Sequence, residues 1–123
     1  MQELTHYVGG EHVKGTSGRF ADVFNPATGE VQAKVPLASA HEMANAVEIA
    51  AEAQIAWGKV NPQRRARVMM KFVDLLNRDM DKLAEALSRE HGKTIPDAKG
   101  DVQRGLEVVE YCIGAPQMLK GEF

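Results

Sequence analysis

Cysteine and histidine, the residue types that most often perform covalent or metal chemistry, are sparse and isolated in this 123-residue chain. Cys112 is the only cysteine and has no His or Lys close in sequence to activate it as a nucleophile, so we interpret it as a packing residue. No two of the four histidines have i, i+4 spacing, and His41-Glu42 is followed by Asn45 where an H-E-x-x-H motif needs its second ligand. The pattern predicts no catalytic residue and no metal site.

Glycine-rich phosphate loops and the nucleophile elbow are missing as well, since G-x-G-x-x-G, G-x-x-x-x-G-K-[ST] and G-x-S-x-G do not occur. The stretch His91-Gly92-Lys93 has the residue types of a small phosphate nest, but one Gly and one Lys after a helix more simply form a C-terminal cap. We therefore predict no cofactor-binding residue and no complete active site in this chain.

The secondary structure that would position these side chains is predicted to change from strands to helices near residue 38. Residues 1–38 break into short extended runs, with one hairpin turning at Gly9-Gly10 and a second turning through Asn25–Glu30. Residues 39–123 are rich in helix formers and carry cap signals at Ser39–Glu42 and Asn61-Pro62. Further signals are the N-caps Asp79 and Thr94, the stop at Gly92, and an end near Gly114 ahead of Pro116.

The sequence thus predicts an α+β fold, with two N-terminal β-hairpins (1–38) followed by about four α-helices (39–123). Apolar residues on each predicted helix recur at helical spacing and are expected to be buried. On the first helix this stripe consists of Met43, Ala46, Val47, Ala50 and Trp57, with Trp57 as a core anchor. The later stripes are Met69, Phe72, Val73 and Leu76, then Met80, Leu83 and Leu87, then Val102, Leu106, Val109 and Ile113.

Composition excludes several classes of protein. A formal net charge of −2 offers no basic excess for nucleic-acid backbones, and 44% hydrophobic with 26% charged residues is typical of a globular domain. The longest uncharged stretch, Tyr111–Leu119, falls far short of the roughly 20 apolar residues of a membrane span. The first residues resemble neither a secretory signal nor a transit peptide, so we expect a cytoplasmic protein without nucleic-acid or membrane partners.

Several stretches together resemble the aldehyde dehydrogenase superfamily. They are Val23–Glu30 (VFNPATGE), the Ala-rich helix ending at Trp57, and Arg64–Arg67 leading to Glu90–Lys93. Within that superfamily, Asp101–Tyr111 (DVQRGLEVVEY) resembles the CoA-acylating methylmalonate-semialdehyde dehydrogenase branch. The resemblance covers nearly the whole chain but only about the first quarter of a family member. It implies the opening segment of an aldehyde dehydrogenase-like α/β fold, with residues 39–123 as the helical segment of an incomplete cofactor-binding domain.

The resemblance implies an enzyme in which a cysteine thiolate attacks the aldehyde, a hydride passes to NAD, and the acyl group passes to coenzyme A with loss of carbon dioxide. The nucleophile and the NAD contacts of such an enzyme belong to later segments. We therefore expect the 123-residue chain alone to be inactive and to bind neither NAD nor coenzyme A. Its expected partners are the C-terminal part of the enzyme or other subunits of a homo-oligomer.

Arg104 is the one substrate-binding residue that the resemblance implies, because its helix position lies along the substrate entry channel of the family. A guanidinium can hold the carboxylate of a semialdehyde by two parallel charge-assisted hydrogen bonds and reject neutral aldehydes. Spacing alone predicts instead a surface ion pair with Asp101 or Glu107, one helical turn away. The neighbouring Gly105 is compatible with a close approach of substrate or backbone, or with simple helix packing.

An alternative function is a stand-alone helical interaction module that keeps the packing surface of the family N-terminus. The two hypotheses predict different surfaces. If the Met69, Phe72, Val73 and Leu76 stripe or the stripe of the last predicted helix is open to water, another part of the enzyme must cover it, whereas burial of all stripes against each other favours an independent module.

Overall fold

Strands precede helices in the computed structural model of the chain, which describes residues 2–122. The strands are β1 (Gln2–Glu3), β2 (His6–Val8), β3 (Glu11–Val13), β4 (Phe20–Phe24) and β5 (Val31–Pro36). The helices are α1 (Ala40–Lys59), α2 (Pro62–Arg78), α3 (Met80–His91), α4 (Ile95–Ile113) and α5 (Ala115–Met118). The predicted α+β fold is confirmed. Within residues 2–122, none of the helices has the length and apolarity to cross a membrane.

Both predicted hairpins form. β2 and β3 pair antiparallel around Gly9 and Gly10, whose φ angles of 63° and 85° favour glycine and suit a two-residue turn. β4 and β5 also pair antiparallel, and their register shifts between Val23 and Phe24, where β5 carries one extra residue. The sequence did not predict β1, which pairs parallel with β5 through Gln2 and Ala33. Two residues are too few to show a periodic pattern.

The chain divides into two compact units between Lys59 and Val60. The first unit contains the five strands and α1, and the second contains α2 to α5. The predicted change from strand to helix near residue 38 is close to the start of α1 at Ala40. The assignment of residues 39–123 to the helical segment of an incomplete cofactor-binding domain, after the hairpins of residues 1–38, stays a prediction.

The second unit is built around α4, against which α2 and α3 pack. Its buried core consists of Ala66 on α2, Ala84 on α3, and Ala98 and Leu106 on α4. Alanine at the contact lets helix backbones approach closely, so small side chains bring the three helices together. The predicted stripe residues Met69, Val73 and Leu76 are half-buried, while Phe72 remains 44% exposed.

Most predicted helix caps are confirmed by specific hydrogen bonds. The Ser39 Oγ accepts from the Glu42 amide at 3.2 Å, and a Glu42 carboxylate oxygen accepts from the Ser39 amide at 2.8 Å. The Asn61 and Thr94 side chains each accept from an amide in the first turn of the following helix, and Gly92 ends α3 with φ 85°.

Asp79 occupies the predicted N-cap position of α3, but its side chain does not cap the helix. The Asp79 side chain makes no capping bond, because its carboxylate accepts hydrogen bonds from Arg78 at 2.6 Å and Lys82 at 3.3 Å instead. The predicted end of the fourth helix near Gly114 is confirmed, but the short helix α5 that follows was not predicted. Pro116 lies in the first turn of α5, where the missing amide proton costs no helical hydrogen bond.

The expected burial of the α1 stripe is wrong for this chain. α1 has no buried residue, with Met43 at 60%, Val47 at 59% and Trp57 at 45% exposure, so Trp57 is not a core anchor here. The physical reason is that, in the described part of the chain, no strand packs closely along α1. Helical periodicity identifies the apolar face of α1, but the strands do not cover it.

Candidate substrate-carboxylate site

Arg104 lies on the solvent face of α4, with 78% of its side chain exposed. Its Nη1 donates to Asp101 Oδ1 at 2.6 Å, across one helical turn. This ion pair is the one predicted from spacing alone. Glu107, the other predicted partner, accepts a hydrogen bond from Gln103 Nε2 at 3.2 Å.

Asp101 is shared between two cations. Its second carboxylate oxygen accepts from Lys93 Nζ, so that one carboxylate bridges Lys93 and Arg104. Lys93 follows the left-handed Gly92 that ends α3, and its carbonyl accepts from Ser88 Oγ at 2.7 Å. Only 21% of the Lys93 side chain and 35% of the Asp101 side chain are exposed, so the bridge is better shielded than Arg104.

The electrostatics of this cluster leave a positive charge at its surface. The Lys93 hydrogen bond, supported by the charges of Lys93, Arg104 and His91, holds the pKa of the Asp101 carboxyl below its usual range. Asp101 is therefore ionised at neutral pH. One carboxylate between a lysine and an arginine leaves a net charge of about +1, which suits a single incoming carboxylate.

The guanidinium also retains a free edge. Asp101 occupies Nη1, and among residues 2–122 no hydrogen bond or ion pair engages Nε or Nη2 of Arg104. Those two N–H groups lie side by side on the planar fork and match the two oxygens of a carboxylate. The arrangement can bind a carboxylate, while Lys93 and Asp101 are engaged with each other.

Of the other candidate residues, Lys93 belongs to this cluster and Cys112 does not. His91-Gly92-Lys93 is a helix cap with its lysine paired to Asp101, as the simpler interpretation predicted, and forms no free phosphate nest. Cys112 is exposed, so its interpretation as a packing residue within this chain is wrong. In the described part of the chain, no three His, Cys, Asp or Glu side chains lie close enough together to hold a metal ion.

A groove in the first unit was not predicted. The β2–β3 hairpin and the start of α1 enclose about 550 Å³, and the lining residues include Tyr7, Val13, Met43 and Ile49. Two glutamates, Glu11 and Glu42, are among the lining residues, and the Glu42 carboxylate already accepts from the Ser39 and Thr16 amides. Nothing in the sequence pattern indicated the groove, because the β4–β5 hairpin separates the β2–β3 hairpin from α1 in the sequence.

The comparisons with known proteins identify the family. The sequence model of the Aldehyde dehydrogenase family matches residues 12–123. The chain therefore belongs to the aldehyde dehydrogenase family, whose members are oxidoreductases. Over its whole length it is 45% identical to the malonate-semialdehyde dehydrogenase of Pseudomonas aeruginosa. That match covers 24% of the relative, so the chain spans about a quarter of the length of the curated relatives that it matches.

Solved structures agree in sequence and fold. A protein assigned as a methylmalonate-semialdehyde dehydrogenase from Sinorhizobium meliloti 1021, complexed with NAD, is 63% identical and superposes with a TM-score of 0.96. The match covers 100% of this chain and 25% of that one. The methylmalonate-semialdehyde dehydrogenase of Oceanimonas doudoroffii is 42% identical, with a TM-score of 0.95 over 99% of this chain and 25% of its own.

Proposed function

We propose that this chain is the N-terminal part of an NAD-dependent, CoA-acylating dehydrogenase that oxidises methylmalonate or malonate semialdehyde to an acyl-CoA. In this proposal Arg104 binds the carboxylate of the semialdehyde. The names and the identity of the matched relatives support the substrate class. The partners of the chain are the remainder of the enzyme or further subunits, and its single cysteine suits a cytoplasmic location.

The observation that carries the proposal is the state of Arg104. It is fixed at one nitrogen, exposed over 78% of its side chain, and part of a cluster with a net positive charge. A semialdehyde differs from a simple aldehyde by a carboxylate at its far end. Binding that carboxylate holds the aldehyde carbon at a set distance, and a neutral aldehyde leaves the guanidinium edge unpaired.

The cofactors of the proposed enzyme, NAD and coenzyme A, do not fit the described residues of this chain. Gly92 and Lys93 have the residue types of a small phosphate site, but the ammonium group of Lys93 is paired with Asp101. None of the described residues forms a glycine-rich cradle for a diphosphate. A relative of this chain is complexed with NAD, which supports NAD as the cofactor of the complete enzyme. We therefore place both cofactors on later segments, and the chain alone is expected to be inactive.

Exposed surface supports the proposal that the chain is part of a larger fold. Its accessible surface is 9394 Å². Two separate compact units of half the mass would together expose only about 7,900 Å². The difference includes apolar side chains of α1 such as Met43 and Val47. Such a surface is stable when other parts of a protein cover it.

A stand-alone interaction module remains the second candidate. The observation in its favour is that the α2 and α4 stripes are largely covered, with Leu106 buried and Val102 and Val109 half-buried. The open face of α1 favours the first proposal over this one.

The test uses a chimera in which this chain replaces the matched quarter of the 63%-identical Sinorhizobium meliloti relative. Arg104→Leu in that chimera is expected to lower kcat/KM for methylmalonate semialdehyde about 10- to 150-fold, the loss of roughly 1.5–3 kcal/mol from charged hydrogen bonds. With propanal, a neutral aldehyde, kcat/KM should stay within about twofold. Equal losses on both substrates, or no loss on the semialdehyde, would exclude the carboxylate role.

A further inference from the structure

The bridge between Lys93, Asp101 and Arg104 points to a positioning role that goes beyond the proposed binding residue. We infer that Asp101, anchored by Lys93, is a positioning residue that fixes the Arg104 guanidinium for the substrate carboxylate. The inference rests on the proposed function, because it presupposes that Arg104 binds the substrate carboxylate.

The anchoring of Asp101 is the first step. Asp101 is on α4, whereas Lys93 belongs to the connection that follows α3, so their ion pair ties two elements together. The Lys93 backbone is itself held by Ser88 Oγ and follows the Gly92 turn. A long side chain with this support and 21% exposure has little freedom. The Asp101 carboxylate is therefore fixed before it meets Arg104.

The orientation of Arg104 is the second step. An arginine with 78% exposure samples many rotamers unless a partner selects one. Asp101 selects one through Nη1 and leaves the edge formed by Nε and Nη2 facing away from its own carboxylate. The substrate carboxylate then meets a fork that is already ordered, which lowers the entropic cost of binding.

Asp101 does not cancel the charge that the substrate needs. If Arg104 were its only partner, the pair would be neutral and Asp101 would compete with the substrate carboxylate. Lys93 supplies the second cation, so the fork remains the surface of a positive cluster. Removal of Asp101 is therefore expected to weaken substrate binding through loss of order.

The experiment measures KM and kcat of the chimera for methylmalonate semialdehyde and for propanal. Asp101→Asn should raise KM for the semialdehyde about threefold to tenfold, from the cost of immobilising one long side chain, with kcat and the KM for propanal little changed. Asp81→Asn is the matched control, because Asp81 also pairs with a lysine of α4, Lys99, at 2.6 Å. This control should leave all four constants unchanged.

A second variant and a double mutant complete the test. Lys93→Met keeps the Asp101–Arg104 pair but removes its anchor, so a smaller rise in the same KM is expected. In an Arg104→Leu background, Asp101→Asn should add nothing, because it acts through Arg104.

A lower or unchanged KM in Asp101→Asn, or an equal rise for both substrates, would overturn the positioning role. The proposed function fails separately, if Arg104→Leu itself leaves the semialdehyde kinetics unchanged.

Discussion

The carboxylate of Glu42 shows how one side chain can organise several backbone groups. One oxygen accepts from the Thr16 amide at 2.6 Å and the other from the Ser39 amide at 2.8 Å, so Glu42 joins the loop after β3 to the start of α1. The backbone hydrogen bonds of Ser39 and then Thr16 lower the pKa of Glu42 from 4.5 to about 2. The ionised form is therefore favoured by the fold.

This shift predicts a local acid-induced opening. Because the folded-state pKa is depressed, the stabilisation is fully present above pH 4.5 and is lost as the pH falls through about 2. Amide hydrogen exchange at Thr16 and Ser39, measured by NMR on the chain, should accelerate relative to other amides over that range. Glu42→Gln should remove this dependence, and Glu48→Gln on the same helix should not. An unchanged exchange profile in Glu42→Gln would contradict the role of Glu42.

The sequence could predict the Ser39–Glu42 capping box but not the bond to Thr16. A capping box is a local motif within four residues, whereas Thr16 is 26 residues from Glu42 and meets it only in the folded unit. The same limit applies to Asp101. The i, i+3 spacing on α4 predicts its pair with Arg104, whereas Lys93 precedes α4 and no helical spacing relates it to Asp101.

At the scale of elements, Gly92 and Gly105 differ in whether their backbone conformation requires glycine, and substitution of each by alanine tests the packing of the second unit. Gly92 adopts φ 85° at the end of α3, whereas Gly105 lies in the middle of α4, where a methyl group in place of its α-hydrogen would meet nothing within 4 Å. Gly92→Ala should therefore destabilise the chain by about 1–2 kcal/mol. Gly105→Ala should stabilise it by about 0.5–1 kcal/mol, since helical alanine costs less entropy.

Urea unfolding followed by circular dichroism at the helical band measures both changes. Gly100→Ala, also in α4 with open space around it, is the control and should behave as Gly105→Ala does. Destabilisation by Gly105→Ala alone would contradict this view of α4 in the chain and indicate a close neighbour at that position.

The ends of the helices and hairpins could be predicted from turn and cap residues, whereas the burial of side chains was harder to predict. Gly9-Gly10, Asn61-Pro62 and Gly92 each specify a backbone conformation by their own chemistry, so the hairpin and helix ends were predicted correctly. Helical periodicity shows which face of α1 is apolar but not what covers it. Met43 and Trp57 are consequently exposed where burial was predicted.

At the scale of the whole molecule, the chain has the fold of part of an aldehyde dehydrogenase and, in our proposal, only part of the groups that the reaction needs. It superposes closely on about a quarter of the length of each structural relative, and the guanidinium of Arg104, paired with Asp101, faces solvent. Nucleophile and cofactor sites belong, in our proposal, to the other three quarters. The open apolar face of α1 is the surface on which those segments would pack.

The most direct measurement compares the 123-residue chain with its chimera in the oxidation of methylmalonate semialdehyde, following NADH absorbance and acyl-CoA formation with and without coenzyme A. We predict a silent chain, and a chimera that forms NADH and acyl-CoA only when NAD and coenzyme A are both present. Turnover by the chain alone would contradict the claim that its active site lies elsewhere. A folded chimera that oxidises no semialdehyde would contradict the proposed function itself.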